Sequence, residues 1–385
     1  MNNVYQQENA CSSVRGKPTK MQNRYEKLLA ECDPNLKPGR KVEGTLKWHS
    51  PLDQPFHIAG FGWFAGERKY RRLPTLAEGM VPEAVDRLAN HTAGGQVRFR
   101  TDSTSLSVRV KLKGKAHLPH MAPTGQCGVD CYVGDFGALK FVSTTKFDFT
   151  LDEYESSLFA GWSNETRSIV LNLPLYQGIE EIWIGLDEYA SVMSPPAYAC
   201  NKKVVFYGTS VTQGGCASRP GMLHTNILSR RIPLEFVNLG FSGSGRGEAE
   251  VAQVVSRIED PACFILDYEG NCKSTELFAQ TLPEFIRICR SRHPDTPILV
   301  PSRIRYARES EHAWLYEART ERKELQQDVV HHLRAQGDHS IYFFDGSELL
   351  GEDYRECTVD GSHPTDLGYI HMANGYEPVL RALLL

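Results

Sequence analysis

The hydrophobic pattern of the chain changes near residue 200, and this change limits the folds that the chain can adopt. Between about residues 42 and 196, short segments such as Gln96–Thr101 and Ser103–Leu112 alternate apolar and polar residues. This alternation predicts antiparallel strands with one face in a core, and the Gly, Pro, Asn and Asp residues between the segments predict turns. We therefore expect an antiparallel β-sandwich or jelly-roll domain over residues 42–196.

From residue 200 to residue 385 the pattern becomes strand, loop and helix. Five short apolar segments predict strands: Lys203–Tyr207, Glu235–Asn238, Cys263–Asp267, Ile298–Pro301 and Ile341–Asp345. Helical patterns separate them, and the longest runs from about Arg308 to Gln336. Because parallel strands need crossover helices, this order predicts a doubly wound, flavodoxin-like α/β domain with a parallel five-stranded sheet. Functional residues in such a sheet lie at the carboxyl ends of the strands.

Composition excludes several classes of protein. The net charge of −4 is too small to favour nucleic acid as a partner, and no apolar stretch is long enough to cross a membrane. Residues 1–41 predict a polar tail and one short helix over 21–32, without the apolar segment of a signal peptide, so we expect a cytoplasmic protein. The ten cysteines are interpreted as free thiols. Cys127 and Cys131 have no second ligand pair at zinc spacing, so neither a metal nor an organic cofactor is expected.

A serine follows the first predicted strand of the sheet. Ser210 stands in Gly208-Thr-Ser-Val-Thr-Gln-Gly214, where the flanking glycines permit a tight turn that presents the hydroxyl group. The helix expected after it offers backbone N–H groups to an oxyanion. A serine at a junction between a strand and a helix is also a common helix N-cap, so the motif alone leaves both interpretations open.

An acid and a base stand together near the C-terminus, in Asp360-Gly-Ser-His363-Pro. Alone, this segment indicates a turn and a helix cap more readily than chemistry. Together with Ser210 it supplies a nucleophile, an orienting carboxylate and a general base, in the chain order Ser, Asp, His. We therefore expect a serine hydrolase.

Two further loops follow strands at the same edge of the predicted sheet. The glycine-rich loop after the second strand contains Gly243, whose backbone N–H could stabilise an oxyanion, and Asn271 after the third strand could donate a side-chain N–H. A glycine-rich loop is more often a plain turn, and Asn271 could equally cap the next helix.

Taken in order, these four segments resemble the SGNH, or GDSL-type, hydrolase superfamily, which is named for its Ser, Gly, Asn and His. The resemblance implies that Ser210 is the nucleophile, that His363 and Asp360 are base and acid, and that Ser210, Gly243 and Asn271 form the oxyanion hole. Two segments depart from the usual pattern, with Gly-Thr-Ser-Val for Gly-Asp-Ser-Leu and Glu-Gly-Asn-Cys for Gly-x-Asn-Asp.

Residues 207–221 and Gly128-Val-Asp130-Cys-Tyr132 are similar to one branch of this superfamily. In that branch a β-sandwich with a Gly-x-Asp-x-Tyr signature precedes the hydrolase domain. The branch implies an esterase for small acyl groups, O-acetyl foremost, on carbohydrates such as xylan or xyloglucan oligosaccharides. Trp314, Arg305 and His312 are candidates for contact with the sugar, although Trp314 could also belong to the core of the long helix.

Three alternatives remain open at this point. A lysophospholipase or lipase would use the same residues, and acyl transfer to another alcohol would also use them. A carbohydrate-binding protein with secondary esterase activity is the third alternative. The substrate partner is expected to be a small-molecule or oligosaccharide ester, and nothing in the sequence indicates an oligomeric state.

Overall fold

The computed structural model describes Asp33 and residues 45–385. The polar tail and the helix expected over residues 21–32 lie outside the described residues, apart from Asp33 in the tail. Within residues 45–193 the strands are β1 Leu46–His49, β2 His57–Ala59, β3 Gln96–Thr101, β4 Leu106–Leu112, β5 Asp130–Val133, β6 Lys140–Thr144, β7 Glu153–Phe159, β8 Arg167–Asn172, β9 Ile179–Asp187 and β10 Val192–Met193. Three short helices accompany them: α1 Phe64–Glu67, α2 Glu83–Leu88 and α3 Pro123–Cys127.

These strands form two antiparallel sheets that share one core. One sheet has the order β1-β9-β4-β7, and the other has β10-β3-β8-β5-β6 with β2 also paired to β3. Phe99 and Ile169 from the second sheet and Val108 and Ile184 from the first are fully buried in the same cluster. The apolar side chains that alternate along these strands fill the space between the two sheets, which is the β-sandwich that the sequence pattern predicts.

One strand of the sandwich begins later than its sequence pattern predicts. The segment from Cys127 to Val133 alternates in the way that favours a strand throughout, but Cys127 ends helix α3 and strand β5 begins at Asp130. Pro123 at the first turn of α3 explains the difference, because proline is well suited to that helical position.

Residues 203–384 form the parallel sheet and the helices around it. The strands are β11 Lys203–Gly208, β12 Glu235–Gly240, β13 Pro261–Asp267, β14 Ile298–Pro301 and β15 Ile341–Phe344. The helices are α4 Ser210–Gln213, α5 His224–Arg231, α6 Ala249–Val255, α7 Thr275–Arg292, α8 Ala313–Ala335 and α9 Asp366–Leu384. The strand order β12-β11-β13-β14-β15, with every pair parallel, confirms the doubly wound fold.

Helices cover the sheet on both faces. Val205 and Tyr207 of β11 pack into a cluster with α6, α7 and α8, whereas Val204 and Phe206 pack into a second cluster with α5 and α9. Burial on both faces explains why β11 is apolar without alternation.

Helix α8 begins at Ala313 and not near Arg308, because a separate 3₁₀ turn, Ala307–Ser310, precedes it. No helix in residues 45–385 is both long and apolar enough to cross a lipid bilayer.

The N-terminal domain adds side chains to the core of the α/β domain. Leu73 and Val85 are buried in the same cluster as Val205 and Val237 of the parallel sheet. A Cβ atom on Gly62 would stand 3.4 Å from Ile258, so the domains touch closely there as well. The two domains therefore bury apolar surface against each other, which contributes stability to both.

Candidate active site

Ser210 lies on a tight turn at the carboxyl end of β11, which we call the Ser210 turn (residues 208–214). Thr209 is extended and its hydroxyl accepts a hydrogen bond from the N–H of Val211, which starts helix α4. A Cβ atom on Gly208 would lie 2.1 Å from the Thr212 hydroxyl and 2.5 Å from the Asp267 carbonyl, so a larger residue cannot occupy this position. The following helix is only one turn long, so its dipole is weak and the backbone N–H groups themselves must supply any oxyanion contact.

His363 and Asp360 meet Ser210 in one line of hydrogen bonds. Ser210 Oγ is 2.8 Å from His363 Nε2, and His363 Nδ1 is 2.7 Å from Asp360 Oδ2. Because a carboxylate only accepts hydrogen bonds, Nδ1 carries the proton and Nε2 is free to accept one from the serine hydroxyl. This arrangement has the contacts of a nucleophile, a general base and an orienting acid.

Backbone contacts hold Asp360 and His363 in place. Asp360 Oδ1 accepts the backbone N–H groups of Ser362, at 3.0 Å, and His363, at 2.9 Å. Burial alone raises the pKa of Asp360, but hydrogen bonds from the backbone and ring of His363 outweigh it and bring the pKa below its usual value. The segment also joins the chain just after the Ser210 turn, because the N–H of Cys216 donates to the Pro364 carbonyl at 3.1 Å. Asp360 is therefore held as a carboxylate facing the imidazole.

Gly243 lies in the loop after β12, which we call the Gly243 loop (residues 241–248). Its backbone has φ +65°, and no atom lies within 4 Å of the position that a Cβ would take. The loop is tied to the Ser210 turn by two hydrogen bonds, from Phe241 N to Gly208 O at 2.9 Å and from Ser242 N to the Gln213 side chain at 3.0 Å. The Gly243 loop therefore stands beside the serine, with the α-carbon of Gly243 in open space.

Asn271 lies in a 3₁₀ turn, Glu269–Asn271, that follows β13. Its side-chain Nδ2 donates to the carbonyls of Phe241, at 3.0 Å, and Gly245, at 3.1 Å. Both hydrogens of the amide are thus engaged by the Gly243 loop, so donation to an oxyanion requires one of them to be shared or released. The structure brings Asn271 to the Gly243 loop as expected, and adds a bracing contact that the sequence does not indicate.

A buried cluster of charges fixes the Asn271 turn. Glu269 is 1% exposed and its carboxylate accepts from Arg303 N at 3.0 Å and from Arg303 Nε at 3.4 Å. Arg322 from helix α8 donates to the carbonyls of Glu269 and Cys272, at 3.0 and 3.1 Å. Glu309 bridges Arg303 and Arg319 in the same cluster. Such satisfied buried charges hold a loop in one position, even where they add little net stability.

Asp267 lies behind the Ser210 turn. It ends β13 beside Gly208, and its carboxylate is 3.5 Å from the Thr212 hydroxyl. Burial, helped by the charge of Glu269, raises the pKa of Asp267 to about 7. A cavity of about 10 Å³ adjoins it, lined in part by Thr209, Val211 and Tyr376. That volume is roughly enough for one water and not for an acyl chain.

The three predicted substrate contacts lie on the chain after β14. Trp314 is 62% exposed, so it does not belong to the core of helix α8, and its ring centroid is 6.4 Å from that of His312. Arg305 stacks on the ring of Tyr354, with its guanidinium carbon 3.9 Å from the ring centroid. Within residues 45–385, no hydrogen bond, ion pair or ring contact joins Trp314, His312 or Arg305 to Ser210, His363 or Asp360, so their role stays a prediction.

The sequence interpretation missed His120, which comes from the N-terminal domain. Its Nε2 lies 3.9 Å from Asp360 Oδ2, and its ring centroid is 6.0 Å from that of His363. His120 stands in Leu118-Pro-His-Met121, a segment with no periodicity or motif that would mark it. Only the packing of the two domains brings this imidazole to the Asp360 side chain.

The N-terminal domain also supports the loops around Ser210. Arg72 is fully buried and donates to the carbonyls of Leu88, His91 and Gly240, and its guanidinium carbon lies 4.9 Å from the centroid of the Phe241 ring. The Tyr176 hydroxyl donates to the carbonyl of Ser210 at 3.3 Å. These contacts reach both the Ser210 turn and the Gly243 loop from outside the α/β domain.

Comparison with known proteins agrees with this architecture. Residues 201–381 match the GDSL-like lipase/acylhydrolase family, and residues 46–192 match the N-terminal domain of SGNH-type esterases, which carries the GxDLY name. No curated protein matches the chain.

Solved structures share the fold over most of the chain. A GDSL-like lipase candidate from Bacteroides ovatus is 29% identical with a TM-score of 0.81, and the match covers 88% of this chain and 98% of that one. The salicylyl-acyltransferase SsfX3 of a tetracycline biosynthetic pathway is 20% identical with a TM-score of 0.69, covering 89% and 98%. An acetyl xylan esterase from Butyrivibrio proteoclasticus is 12% identical with a TM-score of 0.53, covering 88% and 99%.

Proposed function

We propose that this chain, whose two domains belong to the GDSL-like lipase/acylhydrolase family and to the N-terminal domain of SGNH-type esterases, is a serine esterase that removes O-acetyl groups from carbohydrates. The observation that carries the proposal is the line of hydrogen bonds from Ser210 Oγ through His363 to Asp360, at 2.8 and 2.7 Å. A nucleophile, a general base and an orienting acid in contact with one another are the groups that acyl transfer through an acyl-enzyme uses.

The reaction is a two-step acyl transfer. Ser210 Oγ attacks the ester carbonyl while His363 Nε2 takes its proton, and the tetrahedral intermediate collapses to an acyl-enzyme as His363 protonates the leaving alcohol. Water, deprotonated by His363, then releases the acid. The N–H groups of Ser210 and Gly243, with the Asn271 side chain, stabilise the oxyanion in both steps.

An exposed aromatic side chain and the fold of a solved acetyl xylan esterase support an acetyl group on a carbohydrate as the substrate. Trp314 is 62% exposed and presents an aromatic face of the kind that stacks on sugar rings. An acetyl xylan esterase shares the fold, so the architecture is compatible with this substrate. A lipase is the second candidate function, because the Bacteroides ovatus protein with the same fold is a GDSL-like lipase candidate.

Acetate release tests the proposal. The purified protein and its Ser210→Ala variant are incubated with acetylated xylo- and xyloglucan oligosaccharides, and in parallel with acetyl and octanoyl nitrophenyl esters. We expect acetate from the oligosaccharides with the wild type alone, and poor cleavage of octanoate. Octanoate preference without acetate release would instead establish the lipase. Transfer of acetyl to an added alcohol, faster than hydrolysis, would identify an acyltransferase.

A further inference from the structure

Three side chains that can bind a metal ion meet at the triad. His120, Asp360 and His363 each offer one ligand atom, and these atoms all lie within 4.8 Å of one another. His120 belongs to the N-terminal domain, whereas Asp360 and His363 lie three residues apart near the C-terminus. All three remain accessible to solvent, with side chains 38%, 36% and 27% exposed for His120, Asp360 and His363. An ion can therefore reach them without rearrangement of the backbone.

The ligand chemistry favours zinc. Two imidazole nitrogens and one carboxylate oxygen form the donor set of Zn²⁺ sites that keep a fourth position open for water. Two ligands of a tetrahedral Zn²⁺ at about 2.0–2.1 Å stand roughly 3.3 Å apart. That separation lies between the 2.7 Å from His363 Nδ1 to Asp360 Oδ2 and the 3.9 Å from His120 Nε2 to Asp360 Oδ2. Because the three ligand atoms all lie within 4.8 Å of one another, rotation of these side chains is what must bring them to this separation. Mg²⁺, which prefers oxygen ligands, does not suit this set.

We propose that His120, Asp360 and His363 bind Zn²⁺ and that this ion reversibly inhibits the esterase. The inference rests on the proposed function, since it assigns a second use to the proposed general base. In the active form the proton of the neutral His363 ring is on Nδ1, and the Nε2 lone pair faces Ser210.

Zinc binding prevents His363 from acting as the general base, although its ring neither gains nor loses a proton. When Nδ1 coordinates the ion, the ring proton moves to Nε2, so Nε2 becomes a donor and cannot accept the proton of the Ser210 hydroxyl. Coordination through Nε2 would place the ion between the imidazole and the serine, with the same result. His120 contributes the third ligand, so it determines the affinity for zinc and is not required for the acyl transfer as proposed.

A zinc titration of tag-free protein tests the inhibition. Hydrolysis of p-nitrophenyl acetate is measured against ZnCl₂, with the rate of each variant referred to its own zinc-free value. We expect inhibition that EDTA reverses, no inhibition by Mg²⁺, and a midpoint raised at least tenfold by His120→Ala. His117→Ala removes an exposed histidine from the same segment and is the matched control, which should leave the midpoint unchanged. Equal midpoints for wild type and His120→Ala would overturn the proposal.

A direct measurement of zinc binding distinguishes a failure of the zinc site from a failure of the proposed esterase function. Ser210→Ala keeps all three ligands and lacks the nucleophile, so calorimetry with ZnCl₂ reports binding without catalysis. We expect one site in Ser210→Ala and at least tenfold weaker binding in the Ser210→Ala/His120→Ala double variant. If the site behaves so while the wild type hydrolyses no ester, the proposed function fails and the zinc site stands. If the wild type is an active esterase and the single variant binds no zinc, the zinc site is refuted alone.

Discussion

Asp130, fully buried in the N-terminal domain, forms an ion pair with Arg219 of the α/β domain, with 2.8 Å between Oδ2 and Nη1. Asp130 also accepts the backbone N–H of Gly221 at 2.7 Å, and the same Arg219 nitrogen donates to the Tyr132 hydroxyl at 2.6 Å. Asp130 and Tyr132 are the two side chains of the Gly-x-Asp-x-Tyr signature. The signature thus fixes the loop that follows helix α4, the short helix that begins at Ser210.

Removal of Asp130 is expected to destabilise the protein and slow catalysis. Asp130→Ala leaves the largely buried guanidinium of Arg219 without its counter-charge, which should lower the free energy of unfolding by about 3 kcal/mol. The loop after α4 then loses an anchor, so kcat should fall more than KM rises. Urea unfolding and steady-state kinetics measure both effects.

The control for Asp130 is an ion pair of similar geometry on the sandwich. Glu155 pairs with Arg109 at 2.9 Å, and the Arg109 side chain is 42% exposed. Glu155→Ala should cost less than about 1 kcal/mol because water already solvates this pair, and it should leave kcat unchanged. Equal losses in the free energy of unfolding for the two variants would show that the buried ion pair of Asp130 contributes no more stability than the exposed pair of Glu155.

Arg72 gives a second test of support from the N-terminal domain. Its guanidinium is fully buried among backbone carbonyls, and burial lowers its pKa to about 9. Arg72→Met keeps the apolar stem but leaves those carbonyls unpaired, so we expect a loss of about 2–4 kcal/mol from the free energy of unfolding. Because one of these carbonyls belongs to Gly240, just before the Gly243 loop, kcat should fall at least tenfold.

Arg287→Met is the matched control for Arg72. Arg287 lies on the exposed surface of helix α7 and pairs with Glu284 three residues earlier. We expect a change in the free energy of unfolding below about 0.5 kcal/mol. If Arg72→Met keeps the wild-type kcat despite a large loss of stability, the residue supports the fold without positioning the Gly243 loop.

The sequence predicts those features that depend on local pattern. The five strands of the parallel sheet are short apolar runs, and their expected bounds differ from the observed ones by only a few residues, as at Glu235–Gly240. Ser210 and Asn271 could be placed near each other because both follow strands whose carboxyl ends share one edge of the sheet. The contact of His363 with Ser210 is expected from the combination of the two segments in the chain order Ser, Asp, His, although the His363 segment follows no predicted strand directly.

Contacts between the domains could not be predicted in this way. His120 stands in a loop without periodicity, and the sequence marks Asp130 only through the Gly-x-Asp-x-Tyr signature, which does not identify its partner. Their roles depend on how one domain packs on the other, which alternation and spacing do not encode. The bracing of the Gly243 loop by Asn271 is likewise a matter of where two loops meet.

Asp360→Asn tests whether the orienting acid acts through the tautomer of His363. The Asn oxygen can still accept the backbone N–H groups of Ser362 and His363, so the free energy of unfolding should change by less than about 1 kcal/mol. The new amide N–H₂ faces Nδ1 and favours the tautomer with the proton on Nε2, so kcat should fall by about 10³–10⁴. A variant that retains more than a tenth of wild-type kcat would contradict this role.

The Asn271→Ala variant distinguishes the two roles of the Asn271 side-chain amide, which are to stabilise the oxyanion and to hold the Gly243 loop. As an oxyanion donor its loss should lower kcat by about 10²–10³. As a brace for Phe241 and Gly245 its loss should also lower the free energy of unfolding by about 1–3 kcal/mol, because two carbonyls lose their donor. The pair of measurements is kcat on an acetyl ester and the urea midpoint. A stability loss with kcat nearly intact would assign the oxyanion to the N–H groups of Ser210 and Gly243 alone.

The buried ring of His224 makes the free energy of unfolding depend on pH. Its ring is fully buried against Tyr369 and Tyr376, and neither ring nitrogen has a hydrogen-bond partner in residues 45–385. Burial lowers its pKa to about 3, whereas an exposed histidine has a pKa of about 6.5. Between these values the unfolded chain binds one more proton than the folded protein, so His224 reduces the free energy of unfolding as the pH falls.

His224→Phe keeps the ring contacts and removes this titration, so between pH 7.5 and 5 its free energy of unfolding should rise by about 2 kcal/mol relative to that of the wild type. Urea unfolding at several pH values measures the difference, and His331→Gln, at an exposed position on α8, should run parallel to the wild type. Parallel curves for His224→Phe and wild type would show that His224 is not the group that loses stability in acid.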